Sequence, residues 1–148
     1  MIDPRGPRFT AGITTVVLGA ALVASNAWLL AGQVAVFAIA TFWGVGASPY
    51  AKLYAHLIRP RLGPPAELED ERPPQFAQAV GLAFSSVGLA SLLAGLGGLF
   101  YLLVAAALAA AFLNTAFGFC LGCEVYLLAR RLVARSRPSA SQPEVTTP

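Results

Sequence analysis

Charge is what this sequence has least of. Only 11% of its 148 residues are Asp, Glu, Lys or Arg, where a soluble domain of this length carries roughly 25%. The scarcity is uneven. No charged residue lies between Ala11 and Ala51, and none between Gln75 and Cys123. Histidine occurs once, at His56, and cysteine twice. A zinc site, which wants about four ligands, therefore has little to draw on, and a disulfide framework cannot be built. There is no Gly-rich loop opening on Lys-Ser/Thr and no HExxH, so phosphate-cradle and zinc-protease chemistry lack their motifs. A conventional soluble enzyme is excluded on these grounds, and no cofactor is expected.

Apolar residues fill the space that charge leaves, at 57% of the chain. Roughly 20 apolar residues cross the hydrocarbon core of a bilayer, and a segment there must satisfy its own backbone hydrogen bonds, so it is helical. Four such segments are read, over about 10–30, 34–50, 76–95 and 99–128. The expected fold class is all-α: a four-transmembrane-helix bundle in the lipid bilayer, forming one domain over 1–132. Thr10 suits an N-cap for the first helix. The arginines and apolar run at the start also fit a signal peptide. However, the run continues through Trp28 to Ala31, which suits a retained helix better. Gly32-Gln33 is read as the first polar break, and Pro49 ends or bends the second helix. Residues 50–59 alternate into an amphipathic surface helix, with Leu53, Tyr54, Leu57 and Ile58 opposite Lys52, His56 and Arg59.

The stretch Arg59–Pro74 (RPRLGPPAELEDERPP) is the one long polar connection, kept extended by its prolines. It reads either as a solvated loop or as a docking site for a soluble partner. Pro73-Pro74 starts the third helix. Gly95–Gly98 is a tight turn, and the fourth helix continues to about Leu132. Residues 133–148 are Ser/Pro/Thr-rich and read as a disordered tail. Small residues recur four apart, as in Gly81/Ser85 and Ser91/Gly95, at spacing that lets helices approach closely.

The net charge of +3 would suggest nucleic acid in a soluble protein. Here it reflects arginine placement, and no nucleic-acid partner is expected. Lysine and arginine lie only in the two end segments and the central connection. The positive-inside rule then puts both termini and the proline-rich loop in the cytoplasm. The expected location is a plasma membrane, crossed several times.

The chemistry concentrates in Asn114–Arg131 (NTAFGFCLGCEVYLLARR). Cys120 and Cys123 form a Cys-Leu-Gly-Cys pair followed by Glu124. On a continuous helix these three share a face. Such a pair can close a small disulfide, or pass a disulfide or a sulfur atom to another protein through a mixed disulfide. Glu124 can tune protonation, and an ionisable residue at membrane depth is a functional signal. Asn114-Thr115 and Gly118 can mark a kink. On a reducing cytoplasmic side the resting pair should be two thiols. The plainer reading is two small cysteines that only pack.

Three stretches also carry a resemblance: Asp3-Pro4-Arg5-Gly6-Pro7-Arg8-Phe9, the Arg59–Pro65 loop with its Glu-Asp run, and Phe117-Gly118-Phe119-Cys120-Leu121-Gly122-Cys123-Glu124. Together they resemble a bacterial membrane family, common in actinobacteria, catalogued as domain of unknown function 4395. The resemblance covers nearly the whole chain, and its most specific motif is the Phe-Cys-x-Gly-Cys run. It implies redox or sulfur work beside a thioredoxin-like or sulfurtransferase partner. The leading expectation is therefore a membrane protein with a redox or sulfur-relay pair at Cys120 and Cys123, tuned by Glu124. The competing expectation is a small transporter, or an accessory or scaffold subunit, acting as a homo-oligomer.

Overall fold

The computed structural model describes residues 1–135. It is all-helical, with six α-helices among these residues: α1 (Arg5–Ala24), α2 (Ala27–Phe42), α3 (Pro49–Leu57), α4 (Arg72–Leu93), α5 (Gly97–Phe117) and α6 (Leu121–Arg135). Three of them, α1, α4 and α5, are long and apolar enough to cross a membrane. The fourth apolar helix, α2, has 16 residues. At 1.5 Å per residue it reaches about 24 Å, short of a hydrocarbon core of about 30 Å.

The first two spans differ from the sequence reading. The break falls at Ser25-Asn26, not at Gly32-Gln33. Ser25 takes left-handed backbone (φ 47°). Its N–H donates to Leu22 O, and that of Asn26 to Ala21 O. This 5→2 and 6→1 pair is a Schellman ending. The Asn26 side chain then caps α2 by accepting the N–H groups of Trp28 and Leu29 at 2.9 and 3.1 Å. Gln33 lies inside α2 and is 1% exposed. It is tolerated there because Tyr50 donates to its Oε1 at 2.9 Å, and its Nε2 reaches Thr14 Oγ1 at 3.4 Å. Helix α1 also starts earlier than expected, with Asp3 Oδ1 accepting the Arg5 N–H, so Thr10 is interior and buried rather than a cap.

The turn after α4 uses the same device. Gly95 (φ 77°) donates to Leu92 O, and Leu96 to Ser91 O. Serine and glycine thus hold equivalent places, and the first turn touches the start of α5 through Ser25 Oγ and Tyr101 Oη, 2.9 Å apart. Each half of the chain runs long helix, apolar helix, short amphipathic helix. The packing follows the same plan, with α1 against α5 and α2 against α4 as the two largest contacts, α3 on α1 and α6 on α4. The chain therefore behaves as two related three-helix units facing each other.

Small residues on α4 permit the close packing. A Cβ at Gly81 would stand 2.8 Å from Phe37 Cζ, and one at Gly88 2.9 Å from Val104 Cγ2. The buried cluster of Leu18, Ala21, Leu30, Phe37, Phe100 and Val104 fills the turn end of the bundle. Large apolar side chains cover the outside, with Val16, Val23, Trp28 and Leu102 between 67% and 88% exposed. A soluble monomer rarely shows so much apolar surface, and these helices suit a lipid environment.

The fourth span is corrected as well. It is not one helix over 99–128. It stops at Phe117 and restarts at Leu121, and α6 carries on to Arg135, so 133–135 are helical. Residues 136–148 of the expected tail lie outside the described residues.

Candidate functional site

The end of the bundle opposite the two turns gathers the three stretches singled out in the sequence. Ile2 pairs with Glu69 as an isolated antiparallel bridge, their N–H groups each meeting the other's carbonyl at 2.8 and 2.9 Å. Arg5 Nη1 reaches Leu62 O at 3.5 Å. Tyr54 donates to Asp3 Oδ2 at 3.1 Å. Burial first, then that hydrogen bond, pushes the Tyr54 phenol up from its ordinary pKa. The central connection is therefore held by the opening residues of the same chain.

The third stretch joins them through Arg8. Gly118 ends α5 in left-handed backbone (φ 69°), its N–H returning to Asn114 O at 3.0 Å. Arg8 Nη2 donates to Thr115 O at 3.4 Å. A Cβ on Gly118 would meet the Arg8 guanidinium at 3.5 Å. Glycine fits here for its φ, since the Arg8 contact would be an ordinary one.

The Gly118 break changes what the cysteines are. Cys120 does not sit inside a helix. It stands just before α6 and caps it: its Sγ accepts the Cys123 N–H at 3.4 Å, and its carbonyl accepts the Glu124 N–H at 3.0 Å. Cys123 lies in the first turn. The two are joined as a disulfide, with Cα atoms 5.2 Å apart, where a pair of thiols was expected. A sulfur at a helix N-terminus feels the unpaired N–H groups and the positive end of the dipole, which favour its thiolate. A cation, Arg8, shares a cleft with both cysteines. Sequence distance hid it, since Arg8 and Cys120 meet only through the α1–α5 packing.

Glu124 is exposed, in the first turn of α6. A carboxylate there is favoured by the helix dipole. Arg130 and Arg131 lie farther along α6 and do not line the cleft. His56 is used locally, its Nδ1 lying 2.9 Å from Lys52 O.

Gly122 explains itself sterically. A Cβ there would stand 2.6 Å from Ala77 Cβ and 2.7 Å from Ala77 Cα. Together with the Phe76–Tyr126 ring pair, 5.7 Å between centroids, this seats α6 on the start of α4 and fixes the disulfide there.

Two hollows meet at Cys120. One is a mixed cleft of about 560 Å³, where Arg8, Glu69, Asp70, Cys120, Cys123 and Glu124 face one another. The other is an apolar cavity of about 310 Å³ between the helices, open at the outer apolar surface and bordered by Cys120 but not by Cys123. Ala77, Gln78, Asn114 and Cys120 border both.

Fold and site together define a helical protein suited to a membrane, with a Cys-x-x-Cys disulfide capping a surface helix at the polar end of its bundle. The chain matches, over residues 2–131, the model of the family described as Domain of unknown function (DUF4395), and it belongs to that family. No curated protein and no solved structure matches it.

Proposed function

We propose that this is a multi-pass protein of the bacterial plasma membrane whose Cys120–Cys123 disulfide takes electrons from a cytoplasmic thioredoxin-like dithiol. The observation that carries the proposal is the placing of the disulfide at the N-terminus of α6, in a polar cleft shared with Arg8. Four spans follow if α2 crosses in a locally thinned bilayer. Exposed Trp28 and Trp43 bracket it, as interfacial aromatics do. The arginines at the cleft end then put the disulfide, both termini and the central loop on the cytoplasmic side.

The reaction is an exchange. A partner thiolate attacks Cys123 sulfur from the cleft and displaces Cys120 as a thiolate. The displaced sulfur is the better leaving group because the Cys123 N–H and the α6 terminus stabilise it. The partner's second thiol resolves the mixed disulfide. The partner ends oxidised, and Cys120 and Cys123 end as thiols, with two electrons transferred. A sulfur relay with a sulfurtransferase is the other form of this chemistry. It needs one cysteine free to carry the extra sulfur, whereas the observed bond engages both.

The test uses the full chain in detergent micelles under anaerobic conditions with reduced thioredoxin. Loss of one thioredoxin dithiol per chain, with two new maleimide-reactive cysteines, is expected. The Cys120→Ser/Cys123→Ser double variant should consume none. A disulfide that stays intact under thioredoxin and under dithiothreitol would reduce the pair to packing.

A further inference from the structure

We infer that the apolar cavity beside Cys120 binds the ring of a membrane quinone, which reoxidises the pair. This rests on the exchange reading above and supplies the oxidant that reading needs. The argument starts from Cys120, which borders both hollows, whereas Cys123 borders only the polar one. Cys123 therefore borders the polar partner site alone, and Cys120 borders the apolar cavity as well.

The cavity has the build of a small-ligand site. Its volume of about 310 Å³ lies at the small end of the roughly 300–1,000 Å³ range of ligand pockets, which are mostly apolar with a few fixed polar groups. Phe37 and Phe84 supply aromatic surface, and alanines of α5 leave the space. The polar groups are few: the side-chain amides of Gln78 and Asn114 border the cavity, and an amide N–H can donate to a ligand carbonyl. Access is lateral, because Val80, Phe84 and Val125 border the cavity and are also 36–54% exposed on the apolar surface.

The occupant must be lipid-soluble, flat enough to lie between helices and able to take two electrons from a dithiol. A quinone meets all three conditions. In the step, the Cys120 thiolate adds to the quinone ring. The Cys123 thiol then attacks Cys120 sulfur, closing the S–S bond and expelling the ring as a quinol. Two electrons pass to the ring, and the two thiol protons end on its oxygens.

The experiment takes the full chain in micelles, reduced and freed of reductant under anaerobic conditions, and adds decylubiquinone. The expected result is one quinone reduced per chain, with both cysteines protected from maleimide. Ala110→Phe, which fills the cavity and does not border the polar cleft, should slow this at least ten-fold. It should not alter the exchange of the disulfide with dithiothreitol. Normal exchange with no quinone reduction, with an unchanged rate in Ala110→Phe, or with oxidation only by oxygen or a lipid hydroperoxide, overturns the quinone site and leaves the exchange reading standing. No exchange with dithiothreitol at all overturns the exchange reading itself.

Discussion

Cys120 stands in the second half of the chain where Ser48 stands in the first. Each opens the short amphipathic helix of its unit and accepts the N–H three residues on. Ser48 Oγ takes that of Ala51 at 3.1 Å, and Cys120 Sγ that of Cys123 at 3.4 Å. A tyrosine follows six residues later in both, Tyr54 and Tyr126, and each ring packs on a phenylalanine with centroids 5.7 Å apart. The redox candidate is thus an ordinary capping position in which oxygen has become sulfur.

The capping role makes the two cysteines unequal. With its neighbour replaced by serine, Cys120 in Cys123→Ser should alkylate with a lower apparent pKa than Cys123 in Cys120→Ser. Iodoacetamide rates across pH in micelles check this. The expected gap at neutral pH is several-fold, since a helix N-terminus contributes about 0.3–1 kcal/mol to a nearby anion. Equal profiles would remove the preference for Cys120 as leaving group.

Arg8 should act on that same thiolate. Arg8→Gln, measured in the Cys123→Ser background, is expected to raise the apparent pKa of Cys120 and slow its alkylation at neutral pH. Arg8→Lys keeps the charge and should fall between. An unchanged profile with Arg8→Gln would confine Arg8 to holding Thr115 O.

Gly122 is predicted to be intolerant. Its missing Cβ faces Ala77 backbone, which cannot rotate away. Overpacking of this kind costs about 1–3 kcal/mol. Gly122→Ala should lower the melting temperature in detergent and make the disulfide more readily reduced as α6 lifts from α4. A second change, Ala77→Gly, should recover part of the loss.

Gln33 links α1, α2 and α3 through Thr14 and Tyr50. Gln33→Leu leaves both hydroxyls without that partner and should destabilise the protein by about 1–3 kcal/mol. Thermal unfolding of the Gln33→Leu and Tyr50→Phe single and double variants separates the two bonds. An additive double variant would show no coupling between Gln33 and Tyr50, so that their hydrogen bond adds nothing to stability.

These positions also show what the sequence could carry. The charge gaps alone were enough for an all-helical, membrane-suited chain, because desolvating charge dominates every local preference. The amphipathic helix after Pro49 was legible from its spacing. The first turn was misplaced because a buried glutamine and a surface glutamine look alike in a sequence. Only the fold pairs Gln33 with Thr14 and Tyr50. Asn26, a good N-cap after Ser25, was the available signal. At the site, Cys120, Cys123 and Glu124 border one cleft, and their geometry turned on Gly118 ending α5 rather than bending it. Arg8 and Gln78 were missed because they border the same cleft as the disulfide from more than forty residues away in the chain.

The most direct test of the account is sided thiol labelling after reduction. A membrane-impermeant maleimide is applied to intact cells and to inverted membrane vesicles, with and without prior equilibration against a dithiothreitol redox buffer. The account predicts labelling of Cys120 and Cys123 from the cytoplasmic face only, appearing and disappearing together as one two-electron couple. Labelling from the outer face, or a pair that never opens at any dithiothreitol ratio, would contradict it.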